Sequence, residues 1–294
     1  MNIPGRTARH DARGRIVGSA AWSYGRLTAL VISSIAIPTG LLAQQLKPET
    51  QRDFDCYVQA AETRMNAQKP FVRADSDGDL VARLANGERV ETILANGKNP
   101  HKLAGGQLYD WIGTVFIPNV KLERLIRMLQ DYDHRQRYFR ETVSASKLLC
   151  QTGGHFGYTM TLMEPAVIDL ESEVTWYKID EHRWRCNSYS VNTHEPGKDH
   201  GYLRRLYSYW RFSEVQKGIY VEAETITLSD EFGSMARTIG SLMGINPEKS
   251  LKHSLASMRD SVMESGVTIP SLPVGLPACP APYRIGACPS ATGH

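Results

Sequence analysis

The chain has 294 residues, 41% hydrophobic and 22% charged, with a formal net charge of +3. That length and composition suit a globular protein with a sizeable core and exclude a wholly disordered one. Residues 1–43 hold five arginines and one acid, Asp11, and without them 29 basic side chains face 30 acidic ones, a net of −1.

The N-terminus reads as an export signal. A basic stretch precedes LTALVISSIAIPTGLLA, an apolar run from Leu27 to Ala43 broken by Pro38 and Gly40. Ala43 suits the last position before a cleavage site, and Gln44-Gln45 follows. The run is short for a membrane span, which needs about 20 apolar residues. The expectation is an exported protein, periplasmic or secreted, with an uncleaved N-terminal anchor as the alternative. An export signal and a slightly acidic remainder leave no electrostatic footprint for nucleic acid.

Lys47–Ala67 has the pattern of an amphipathic helix: Pro48 in the first turn and a stripe of Phe54, Tyr57, Val58, Ala61 and Met65. Residues 71–107 are rich in turn signals, including Asn-Gly at 86–87 and 96–97. Residues 44–107 therefore form an N-terminal extension. DSDGD (75–79) is similar to a calcium loop, but its glycine is fourth rather than sixth and Asn86 stands where the bidentate glutamate belongs.

LYDWIGTVFI (108–117) is a strand ended by Pro118. Leu122, Leu125, Ile126 and Leu129 then mark a short helix, and 133–139 a second helical turn. Six strands follow, mostly in hairpins: 143–150, 155–163, 170–179, 183–191, 201–212 and 218–229. Pro247 opens a last helix to about Ser265 with Leu251, Leu255, Met258 and Val262 on one stripe. The fold class is α+β: a curved antiparallel seven-stranded sheet wrapped around a long C-terminal helix, over 108–265, with the helical extension before it and a Pro-rich tail, 266–294, after it.

In this order the chain resembles the START-like (SRPBCC) superfamily with the Bet v 1-type helix-grip fold. The runs WIGTVFIP (111–118), MLQDYD (128–133), KDHGYLRRLYSYWRF (198–212) and YVEAETITLS (220–229) are similar to exported bacterial members of unassigned function. The resemblance covers about half the chain. It implies a hydrophobic small molecule or lipid in an internal cavity; some members are cyclases or hydrolases, so the alternatives are an enzyme using the same cavity, or a structural or interaction protein whose cavity its own side chains fill. Contact with a membrane surface is a further expectation. It implies no cofactor and leaves the oligomeric state open.

The candidate site follows from strand 201–212. Leu206, Ser208, Trp210 and Phe212 share one face, and Arg205, Tyr207, Tyr209 and Arg211 the other. A four-residue loop, Glu214–Lys217, would pair Tyr209 with Glu222 and Tyr207 with Glu224. The Tyr/Arg/Glu face is either a solvated outer surface or a cavity wall that orients a ligand's polar head. On the second reading the ligand-binding residues are Trp111, Tyr207, Tyr209, Arg211, Glu222 and Glu224.

Other clusters carry less. Asp131, Asp133 and His134 offer acid and base, or a helix cap. His194, Glu195, Asp199 and His200 lack the HExxH spacing, so no metal is assigned. No nucleophile elbow or phosphate loop occurs, so no catalytic residue is assigned. Of five cysteines, Cys279 and Cys288 flank a short loop and are the expected disulfide; Cys56, Cys150 and Cys186 read as buried thiols.

Overall fold

The computed structural model describes residues 46–163, 166–197, 199–231, 246–264, 268–271 and 273–288. Residues 1–45, which include the expected export signal, and residues 232–245 before the last helix lie outside the described residues.

Helix α1 (Pro48–Ala67) starts with proline in its first turn, as its sequence predicts, and buries Phe54, Val58, Ala61 and Met65. Helix α2 (Gly78–Ala85) is capped by Asp77, whose side chain accepts from the Leu80 amide at 2.9 Å. The DSDGD motif is thus a helix N-cap. Strands β1 (Glu91–Leu94) and β2 (His101–Leu103) both pair with β3 (Gly106–Pro118). Helices α3 (Leu122–Leu129) and α4 (Arg135–Tyr138) follow. Strands β4 (Val143–Thr152), β5 (His155–Leu162), β6 (Ile168–Lys178), β7 (Arg183–His194), β8 (Arg205–Val215) and β9 (Gly218–Asp230) lead to helix α5 (Pro247–Met263).

The strands form one antiparallel sheet in the order β1-β3-β9-β8-β7-β6-β5-β4, with β2 also on β3. Among the described residues it has nine strands rather than the expected seven. The two additional ones come from the turn-rich extension, where runs of three and four residues were too short to show a period.

The two faces of the sheet are covered differently. Helix α5 packs on the inner face, where Leu251, Leu255, Met258 and Val262 join the main core with Val115, Ile117, Val221 and Ala223. Gly113 permits the close approach: a Cβ there would lie 2.5 Å from Leu255 Cδ1 and 3.2 Å from Leu251. Helix α1 covers the outer face, packing Phe54, Val58, Ala61 and Met65 on Leu108, Tyr207, Tyr209, Ile226 and Leu228. Each such large apolar side chain contributes about 1.5–3 kcal/mol on full burial.

The β8–β9 hairpin turns in two residues, Gln216 and Lys217, not four, because pairing continues to Val215↔Gly218. Gly218 takes a φ of 153°, and a Cβ there would collide with the Ile117 carbonyl. The register therefore shifts by two: Tyr209 faces Glu224, Arg211 faces Glu222 and Phe212 faces Val221. A shift of two preserves which residues share a face.

The expected Cys279–Cys288 bridge is not formed. Cys56 pairs with Cys288 and Cys150 with Cys279, leaving Cys186 as the buried free thiol. Residues 279–288 of the tail run along the outer face, and the described residues of the tail include no helix or strand. The Cys279 amide donates to Thr152 Oγ1 (2.9 Å), Tyr283 to Glu173 (2.7 Å) and Cys288 to Gln59 (3.3 Å). This path carries the two tail cysteines to different partners, one on β4 and one on α1.

Candidate ligand cavity

The inner faces of adjacent strands bring a mixed set of side chains together. On β8 the alternation points Leu206, Ser208, Trp210 and Phe212 inward, and on β6 Ser172, Val174 and Trp176. Phe139, between α4 and β4, and Ser250, Leu251 and Ser254 of α5 close the space. The cavity is partly open to solvent and has a volume of about 200 Å³.

Its walls are held by aromatic contacts. Tyr132 stacks on Tyr158 at 4.5 Å between ring centroids, and Trp176 on Phe212 at 5.6 Å. Trp176 Nε1 donates to the Tyr132 hydroxyl at 2.9 Å. Burial pushes the Tyr132 hydroxyl and the Cys186 thiol well above their usual pKa values, so both are neutral.

Polar groups in the wall are small and neutral, with one exception. Ser188, Ser208 and Thr225 face one another across β7, β8 and β9, forming a lateral row of hydroxyls. Tyr158 and Ser188 share a hydrogen bond of 3.2 Å, and Trp210 Nε1 donates to Ser208 Oγ at 3.1 Å. Thr227 Oγ1 is buried with no hydrogen-bond partner. The exception is Arg135, the one charged side chain among the described residues of the wall.

The residues expected to bind ligand lie elsewhere. Tyr207, Tyr209, Arg211, Glu222 and Glu224 are on the outer face, beneath α1, and are absent from the cavity wall. Neither reading of that face anticipated a second cover. Arg64 of α1 ion-pairs with Glu224, Gln68 donates to Glu222 (3.1 Å), and Glu62 accepts from Tyr189 (2.6 Å) and Tyr209 (3.0 Å). Asp110, fully buried on the same face, accepts from the Tyr57 hydroxyl at 2.8 Å. Burial, then the neighbouring Glu224 charge, holds its pKa well above the usual carboxylate range. Trp111 shares the inner face with Thr225, its partner on β9, but packs into the main core instead of the cavity wall.

The remaining polar clusters serve the fold. Asp131 bonds His134 Nδ1 (2.8 Å) and accepts from Tyr138 (2.6 Å), bracketing α4. Glu195 accepts from the His200 and Tyr202 amides at 2.9 and 2.6 Å, closing a loop. Among the described residues no group of three His, Cys, Asp or Glu side chains is arranged to hold a metal.

A long C-terminal helix held in the inner face of a curved antiparallel sheet, with a cavity between them, decides the architecture. The fold is a helix grip. Solved structures that resemble it include a STAR-related lipid transfer protein from Xanthomonas axonopodis, at 15% identity over 59% of this chain and 99% of that one, with a TM-score of 0.43. A protein from Thermus thermophilus matches at 16% identity over 52% and 95%, TM-score 0.41. The human StarD13 lipid transfer and protein localization domain matches at 15% over 63% and 95%, TM-score 0.38. No family model and no curated protein matches the chain. In this helix grip the outer face is additionally sealed by α1 and a doubly disulfide-linked tail.

Proposed function

We propose that this helix-grip protein is an exported carrier that binds an apolar small molecule, a lipid, in the cavity between sheet and α5. The observation that carries the reading is the wall itself. Trp176, Trp210, Phe212, Val174 and Leu129 enclose the space, while a few hydroxyls converge on it. Apolar enclosure with a small number of placed polar groups is the usual make-up of a small-molecule site. Binding draws on apolar burial, on the order of 25 cal/mol per Å². The two disulfides support export, because such bonds persist in oxidising compartments. Contact with a membrane surface while the ligand is exchanged belongs to the same reading.

Native mass spectrometry tests it. The protein, purified from the periplasm and then exposed to a lipid extract, is expected to carry an adduct that organic solvent removes. Ser208→Phe, which places a ring in the cavity, is expected to fold and to lose that adduct. An unliganded wild-type protein after both steps, or unchanged uptake by Ser208→Phe, would overturn the proposal.

A further inference from the structure

The cavity wall contains an unbalanced cation. The Arg135 guanidinium lies 4.5 Å from the Tyr132 ring centroid, 5.4 Å from Tyr158 and 5.5 Å from Phe139. Its Nη2 donates to the Leu129 carbonyl at 2.9 Å, and its Nε is buried without a partner. Among the described residues no carboxylate pairs with it. The acids nearest in sequence are engaged otherwise: Asp131 with His134 and Tyr138, Asp133 with the Leu148 amide at 3.1 Å and Lys147 at 3.0 Å.

A charge beside an apolar space, with a donor left unmatched, is unfavourable unless something answers it. Three aromatic faces answer part of the charge, since cation–π contacts are attractive, but they accept no ordinary hydrogen bond from Nε. We infer that the cavity takes a single-chain amphiphile ending in a carboxylate, with that carboxylate on Arg135 and the chain between Trp176, Trp210 and Phe212. This inference rests on the cavity reading proposed above.

Charge and volume select the class. One guanidinium is neutralised by the single charge of a carboxylate. A phosphate monoester carries about −1.5 to −2 at neutral pH and would leave excess negative charge in an apolar cavity. A volume of about 200 Å³ lies below the roughly 300–1,000 Å³ of pockets for drug-sized ligands, which favours one chain over a two-chain lipid. Tyr158 links the cation to the hydroxyl row: its ring lies by the guanidinium, and its hydroxyl bonds Ser188, which faces Ser208.

The test measures binding of decanoate, decan-1-ol and decyl phosphate to the full oxidised chain at pH 8, for wild type, Arg135→Met and Arg135→Lys. Wild type is expected to hold decanoate about tenfold or more tighter than the alcohol, the scale of a charged hydrogen bond. Arg135→Met is expected to lose that preference while still binding the alcohol, and Arg135→Lys to keep part of it. Equal affinity of acid and alcohol in wild type would overturn the inference and leave the apolar cavity standing. So would a preference surviving in Arg135→Met, or decyl phosphate binding tightest. Binding of none of the three would overturn this inference together with the cavity reading. If Arg135→Met does not fold, the wild-type ratio and Arg135→Lys still decide.

Discussion

Replacing Gly113 with alanine sets two opposed effects against each other at the contact that defines the grip. An alanine in place of glycine stabilises by about 0.4–1 kcal/mol, through lower entropy of the unfolded chain, where the native backbone accepts it. Against this, the new methyl would stand 2.5 Å from Leu255 Cδ1 and 3.2 Å from two Leu251 atoms. Overpacking of that kind costs about 1–3 kcal/mol, because the leucines must leave their rotamers or α5 must move. Overpacking wins, and the expected net destabilisation is about 1–2 kcal/mol. Urea unfolding of the oxidised protein measures it through the midpoint at constant slope. A double-mutant cycle with Leu255→Ala locates the cause, since that truncation should cost less in the alanine background than its usual 2–5 kcal/mol. A neutral or stabilising Gly113→Ala, with no coupling to Leu255, would refute the close helix–strand contact.

Three further outcomes are expected. Asp110 has a folded-state pKa above its unfolded value, so its contribution to stability is fully present below pH 4 and is lost as pH rises toward the folded value. Asp110→Asn, which can still accept from Tyr57, should flatten the decline in urea midpoint between pH 5 and 8; an unchanged slope would contradict this. Arg64→Met leaves the buried Glu224 carboxylate without its cation and should cost about 1–3 kcal/mol in the same unfolding assay, less than the roughly 3–5 kcal/mol of a fully buried pair because the Arg64 side chain is 34% exposed. Non-reducing peptide mapping should recover Cys56–Cys288 and Cys150–Cys279, with Cys186 titrating as a single thiol only after unfolding; a Cys279–Cys288 peptide would contradict the tail's path.

The order and type of the main elements were legible because hairpin turns and helical stripes are local signals. The stripe from Phe54 to Met65 announced an amphipathic helix, yet nothing local says which surface it covers. That omission misdirected the site. An alternating strand such as β8 normally has one buried and one wet face. Here α5 and the cavity occupy one side and α1 the other, so Tyr207 is as fully buried as Phe212. The inward hydroxyls carried an available signal: Ser172, Ser188, Ser208 and Thr225 interrupt otherwise large apolar positions, and small residues there leave room. Arg135 carried none, since its neighbours in DYDHRQRY are charged and its placement depends on how α3 and α4 fold over the sheet. The disulfides were illegible for a related reason. Closeness in sequence favoured Cys279 with Cys288, whereas the bonds span 232 and 129 residues.

The central claim, an apolar ligand held between the sheet and α5, is tested most directly by mapping decanoate binding with amide and indole NMR shifts. The account predicts shifts at the Trp176 and Trp210 indoles, at Ser188 and Ser208, and around Arg135, with α1 and its buried Glu224–Arg64 contact unmoved. Shifts confined to the α1 face, or none at saturating decanoate, would contradict it.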